Sequence, residues 1–189
     1  DGLRKEILEK TTLYGVPMLN PDGAEAWTLR TALGSDMNRD ALRLQTPEGQ
    51  LLKSLQQSIQ PQFAFNLHDQ EPRYSAGKTK NLATISFLAT AYNEAREIND
   101  VRKRSMQLIV SLNRNLQQFI PNQVGRFSDE FEPRAFGDNI QKWGSSLILI
   151  ESGGYANDPE KQKIRRLNYV ALLSGLQSIA TEAYATEAI

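Results

Sequence analysis

Phe63-Ala64-Phe65-Asn66-Leu67-His68-Asp69-Gln70 alternates aromatic or aliphatic side chains with small or polar ones, and it closes on a histidine beside an aspartate. Alternation at period two marks a strand whose two faces meet different surroundings. The imidazole then stands at the strand's carboxyl end, where open α/β sheets gather their ligands. His68 is the only histidine in 189 residues. A lone histidine is more often a hydrogen-bonded structural residue than a ligand, so the sequence around it has to decide.

Upstream, Thr46-Pro47-Glu48-Gly49 opens a helix, with threonine suited to the N-cap and proline to the first helical position. Leu51, Leu55 and Ile59 mark its expected buried face, and Pro61 ends it. Thr12 to Leu19 is β-branched and apolar and runs into Asn20-Pro21-Asp22-Gly23, which reads as a strand meeting a sharp turn. Strand, helix and strand in that order form a β-α-β unit. Leu3 to Lys10 reads as an amphipathic helix, and the polar stretch from Ala24 to Leu44 reads as a loop.

Downstream, Gln70 to Lys80 is a second polar loop and Leu82 to Leu88 a further strand. Val101, Leu108, Leu112, Leu116 and Phe119 fall at helical spacing before Pro121. Gly125 to Gly144 reads as a third loop. Ser146 to Ile150 is continuously apolar after its first residue, as in a central strand covered on both faces. Asp158-Pro159-Glu160 then caps a last helix with Ile164, Leu167, Ala171 and Ile179 on its inner stripe. The pattern predicts one α/β domain with long loops at the carboxyl ends of its strands.

Composition narrows the function classes. Lysine plus arginine equals aspartate plus glutamate, 22 against 22, so no net field favours nucleic acid or an anionic membrane. There is no cysteine, which excludes disulfides and thiolate-held metals. No apolar run reaches the roughly 20 residues that cross a bilayer. The chain starts at Asp1-Gly2, directly into helix-like sequence, and is expected to begin in mid-domain.

Three groups of residues could carry chemistry. Glu151 follows four apolar strand residues and precedes Ser152-Gly153-Gly154. Partial desolvation there raises a carboxyl's pKa toward working pH and suits a general base, although a strand-end glutamate can equally cap a helix or pair with a lysine. Asn38 and Arg39 place an amide beside a guanidinium on a loop, a combination able to grip a carboxylate. As an isolated dipeptide it is more often a solvated turn. Arg30 could face a developing oxyanion, or lie on the surface as most arginines do.

The order of the motifs is more specific than any one of them. Asn20-Pro21-Asp22-Gly23, Asp36-x-Asn38-Arg39, Asn66-Leu67-His68-Asp69 and Ile150-Glu151-Ser152-Gly153 resemble, in sequence and approximate spacing, the zinc carboxypeptidases of the carboxypeptidase A type. The resemblance covers essentially the whole chain. It implies a three-layer α/β/α fold with a mixed, mainly parallel twisted sheet, here missing its N-terminal strands. Residues 1–189 would be the C-terminal part of a single catalytic domain. His68 resembles the second zinc-ligating histidine, and Glu151 the base that takes a proton from zinc-bound water. Asn38 and Arg39 resemble the pair holding the substrate's terminal carboxylate. Arg30 resembles the oxyanion arginine, unless Leu29 fills that position. The implied partner is a peptide with a free C-terminal carboxylate.

Two departures accompany the likeness. The family's His-x-x-Glu motif lies upstream of the Asn-Pro-Asp-Gly turn, and the 19 residues before that turn contain no histidine. Zinc is therefore expected in the complete parent domain and absent or weakly held here, and the chain alone is expected to be inactive. No tyrosine lies between Tyr92 and Tyr155, where the family often has a substrate-contacting one. Two other readings stay open: a non-catalytic relative that binds peptide carboxylates, and a zinc amidase acting on cell-wall peptides. A sheet lacking strands would leave an edge bare and favour self-association. The loop with Arg134, Phe136 and Asp138 is expected to shape the side-chain pocket. Export of many relatives leans localisation toward periplasmic or secreted.

Overall fold

The computed structural model describes residues 2–189. Six helices, α1 (Gly2–Lys10), α2 (Pro21–Glu25), α3 (Pro47–Ile59), α4 (Asp100–Leu116), α5 (Phe136–Lys142) and α6 (Gln162–Ala180), accompany four strands. The strands are β1 (Phe63–Asp69), β2 (Ile85–Leu88), β3 (Val124–Arg126) and β4 (Ser146–Ser152). Met37–Arg39 and Ala183–Thr186 form single 3-10 turns.

The helix starts follow their capping chemistry. The Thr46 hydroxyl accepts from the Gly49 N–H at 3.0 Å, and Asn99 does the same for Arg102 at 2.9 Å. Asp158 serves α6 from outside the helix, its Oδ2 accepting from the N–H groups of Lys163 and Ile164 at 2.9 and 3.1 Å. Asn20 accepts from Gly23 N–H at 3.0 Å and so turns the expected sharp bend into the short helix α2.

The sheet order is β1-β4-β2-β3. β1 runs parallel to β4 and β2 parallel to β3, while β2 and β4 are antiparallel. The sheet is thus mixed and mainly parallel, with helices on both faces. On one face α4, α6 and the Tyr184 turn pack on Ile85, Phe87, Ile148 and Ile150. Leu108, Leu112 and Leu116 recur every four residues along α4 and are fully buried. Burial of each such side chain contributes roughly 1.5–3 kcal/mol. On the other face Leu88, Leu147 and Leu149 form a smaller core with Ala64, Phe127 and Ile140 of α5. α1 lies outside, packed on α6 through Ile7.

Several sequence-based expectations differ from this architecture. Thr12 to Leu19 forms no strand; residues 12–18 are exposed, and among the described residues this stretch has no neighbour to supply ladder hydrogen bonds. On α3, Leu51 is half exposed, and the chain side of the helix is Gly49, Leu52, Leu55 and Ile59 instead. The stretch from Gly125 to Gly144 is only partly loop, since it includes the end of β3 and all of α5. α5 hides in sequence because Phe-Gly-Asp-Asn has poor helix propensity and no side chain caps its start. Packing on the sheet holds it in place.

Candidate active site

Parallel pairing of β1 with β4 sets His68 opposite Glu151, with strands about 4.8 Å apart. Antiparallel pairing of β2 sets Ser86 on the other side of Glu151. Registered neighbours share a face, so Ala64, Asn66 and His68 line up with Leu147, Leu149 and Glu151 on the α5 side. The rows begin apolar under α5 and turn polar at the carboxyl ends of the two parallel strands.

The turn beyond Glu151 requires glycine. A Cβ on Gly153 would stand 2.0 Å from the Ala83 carbonyl oxygen, and one on Gly154 2.1 Å from that of Pro72. Gln70, which the sequence reading gave no role, braces the same corner. Its buried amide donates to the Ala83 carbonyl at 2.9 Å and to the Ser86 hydroxyl at 3.1 Å.

Glu151 is 6% exposed, and its carboxylate accepts no hydrogen bond from the described residues. Burial without a donor disfavours the anion, and the negative charge of Asp69 adds to this; together they push the carboxyl up to about 7. His68 is partly buried, and burial followed by the positive charge of Arg39 pushes its imidazole below the ordinary value. Both groups are therefore driven toward their neutral forms. Asp69 itself is paired with Lys161.

Asn38 and Arg39 are fixed by two segments held together. Asp36 Oδ1 accepts from Asn38 N–H at 2.9 Å, which shapes the 3-10 turn. The Asn38 side-chain oxygen accepts from Phe136 N–H at 2.9 Å, and Ala41 N–H donates to the Arg134 carbonyl at 3.1 Å. Arg39 Nε lies 3.5 Å from Glu132 Oε2. Asp40 anchors the next stretch: its buried carboxylate accepts from Gln45 N–H, Thr46 N–H and the Thr46 hydroxyl at 2.8–2.9 Å. Burial raises its pKa, but those bonds prevail and leave it below the ordinary value. The structure thus ties Asn38 and Arg39 to the segment that leads into α5, near enough to His68 for the Arg39 charge to act on its imidazole.

Arg30 is placed differently. Its Nη1 donates to the Gly34 carbonyl at 2.7 Å, and its backbone bridges to Asp36, so the side chain folds onto its own exposed turn. Among the described residues it pairs with no member of the His68–Glu151 group. In the loop expected to shape a side-chain pocket, Asp138 is buried and accepts from Glu132 N–H at 3.3 Å; burial pushes its carboxyl up to about 6. Glu132 and Asp40 also received no role from sequence alone. The signal for Glu132 was the Glu132-x-Arg134 charge pair, and for Asp40 an acid six residues before a Thr-Pro helix start.

Zinc does not fit the residues present. Among the described residues there is no group of three or more histidine, cysteine, aspartate or glutamate side chains placed to hold a metal ion. His68 offers one imidazole, whereas catalytic zinc ordinarily has three protein ligands. No hydrolytic step can be routed through a metal with these groups alone.

The buried carboxyl has a measurable consequence. Below pH 4.5 Glu151 is protonated in folded and unfolded chain alike. Between 4.5 and about 7 the unfolded chain loses that proton and the folded chain keeps it, so stability falls with rising pH and levels off above 7. The loss amounts to about 3 kcal/mol at pH 8. Glu151→Gln is expected to match the parent chain's urea stability near pH 4 and exceed it by that order at pH 8. An equal difference at both pH values would contradict the burial.

No family model matches the chain, and no curated protein matches it significantly. A crystal structure of a protein from Shewanella denitrificans OS-217, described as "Putative carboxypeptidase A", superposes with a TM-score of 0.61 at 15% sequence identity. The match covers 95% of this chain and 48% of that protein, so the chain spans about half its length. At that identity the likeness establishes the fold: a three-layer α/β/α arrangement around a mixed, mainly parallel sheet, as in that carboxypeptidase-like structure.

Proposed function

We propose that this chain is the carboxylate-recognising and base-bearing part of a zinc carboxypeptidase-type domain that removes C-terminal residues from peptides. The observation that supports the reading is the register of His68 with Glu151 at the carboxyl ends of parallel strands, with the Arg39 charge acting on His68 and Asn38 tied to the start of α5. In this reading the Asn38 amide and Arg39 guanidinium take the terminal carboxylate of the peptide. Glu151, with a carboxyl poised near 7, accepts a proton from water and returns it to the leaving amine. His68 contributes one imidazole to a metal site whose remaining ligands are not among these residues.

The carboxylate site can be tested without turnover. N-acetyl-L-phenylalanine is expected to shift the amide NMR signals of Asn38 and its neighbours, and N-acetyl-L-phenylalaninamide is expected not to. Arg39→Ala should weaken carboxylate binding by about ten- to a hundredfold, the worth of a charge-assisted hydrogen bond. Equal binding of acid and amide would refute the proposed role of Asn38 and Arg39.

Among the described residues the outer edge of β1 has no partner strand. β1 is the outermost strand among the described residues, and Leu67 on it is 56% exposed. Unpaired strand edges recruit other chains, and we infer that two copies associate there. Light scattering should give a mass that rises with concentration and falls back in Leu67→Lys. A constant monomer mass would rule the association out.

A further inference from the structure

We propose that Glu132, itself clamped by Arg134, is the positioning residue for Arg39. It covers the Nε edge of the guanidinium, so that Arg39 meets a carboxylate through its Nη edge only. This rests on the carboxylate-binding role given to Asn38 and Arg39 above.

A guanidinium can fork a carboxylate in two ways, side-on through Nε and Nη2 or end-on through Nη1 and Nη2. Arg39 Nε lies 3.5 Å from Glu132 Oε2, an ion pair rather than a hydrogen bond, so a second carboxylate approaching the side-on fork would meet the Glu132 charge. Arg39 Nη1 donates one hydrogen to the Asn38 carbonyl at 2.8 Å, leaving its second hydrogen and both on Nη2 without partners among the described residues. Asn38 is constrained in parallel. Its oxygen is taken by Phe136 N–H, and its Nδ2 has no partner among the described residues. Each member of the pair is tied at one edge to residues 132–136 and open at the other.

Glu132 would be a poor neighbour for a carboxylate site if its charge were bare. Arg134 neutralises it with a bidentate grip, Nε to Oε1 at 2.9 Å and Nη2 to Oε2 at 2.7 Å, and its N–H reaches Oε1 at 3.1 Å. Those bonds from Arg134 hold the Glu132 carboxyl down to about 2, so it stays ionised throughout the working range. With the charge neutralised, repulsion of an incoming carboxylate is small, and the dominant effect of Glu132 is to hold a long side chain that would otherwise be ordered only on binding. Immobilising one such side chain in advance is worth about three- to tenfold in affinity.

The full chain, labelled for detection of arginine Nε–H groups, separates this role from a purely structural one. In Glu132→Ala the Arg39 Nε–H signal should move and exchange faster with solvent. N-acetyl-L-phenylalanine should bind about three- to tenfold more weakly. Glu132→Gln, which keeps one acceptor oxygen for Arg39, should recover most of that affinity. Unchanged or tighter binding in Glu132→Ala with intact fold, or an unmoved Arg39 Nε–H, would overturn the proposal. Should the parent chain bind no carboxylate at all, the proposed function fails, while the Arg39 Nε–H signal still decides whether Glu132 holds the guanidinium.

Discussion

The pairing of β1 with β4 is the constraint on which the rest depends. Seven consecutive residues of each strand are in register, from Phe63 opposite Ser146 to Asp69 opposite Ser152. A slip of one residue would send His68 and Glu151 to opposite faces of the sheet. Burial prevents the slip, because Ile148 and Ile150 must face α4 and α6 while Leu147 and Leu149 face α5. The hydrophobic pattern that builds the core is therefore the same pattern that puts an imidazole beside a carboxyl at the strands' ends. Gly153 and Gly154 allow close approach of the Ala83 and Pro72 carbonyls just beyond it, and the carboxyl itself is left largely buried with no hydrogen-bond donor among the described residues.

A second layer of constraint lies far apart in sequence. Residues 38–41 and 132–136 are joined by a backbone bond, a side-chain-to-backbone bond and an ion pair. Since 132–136 leads into α5, and α5 rests on Leu147 and Leu149, the loop bearing Asn38 and Arg39 inherits the rigidity of the sheet. Asp40 completes the link by tying the same loop to the first turn of α3. Exposed loop residues are thus positioned by buried elements, a common way of building a binding site on a fixed scaffold.

Much of this was legible in the sequence where a local rule governs. The continuous apolar run at Ser146–Ile150, the alternation at Phe63–Asp69 and the four-residue spacing along α4 identify the core elements directly. Asn38, Arg39, His68 and Glu151 each read alone at least as readily as structural or solvated residues; the order of their motifs, and its resemblance to the zinc carboxypeptidases, singled them out. What stayed hidden depends on distant partners. Thr12 to Leu19 has the composition of a strand but, among the described residues, no neighbouring strand to pair with, and α5 is a weak helix sustained by packing. Glu132 acquires meaning only when Arg39, 93 positions earlier, is brought against it by the fold. The fold of Arg30 onto Gly34 likewise depends on a turn that residue types alone do not specify.

The sheet register buries Glu151 next to His68 in a setting that resists its ionisation. Carbon-13 NMR of the glutamate carboxyls in the intact chain reads this directly, with Glu151→Gln to assign the signal. The Glu151 titration midpoint is expected near 7, displaced from the ordinary glutamate value. A midpoint at the ordinary glutamate value of about 4.3 would contradict it.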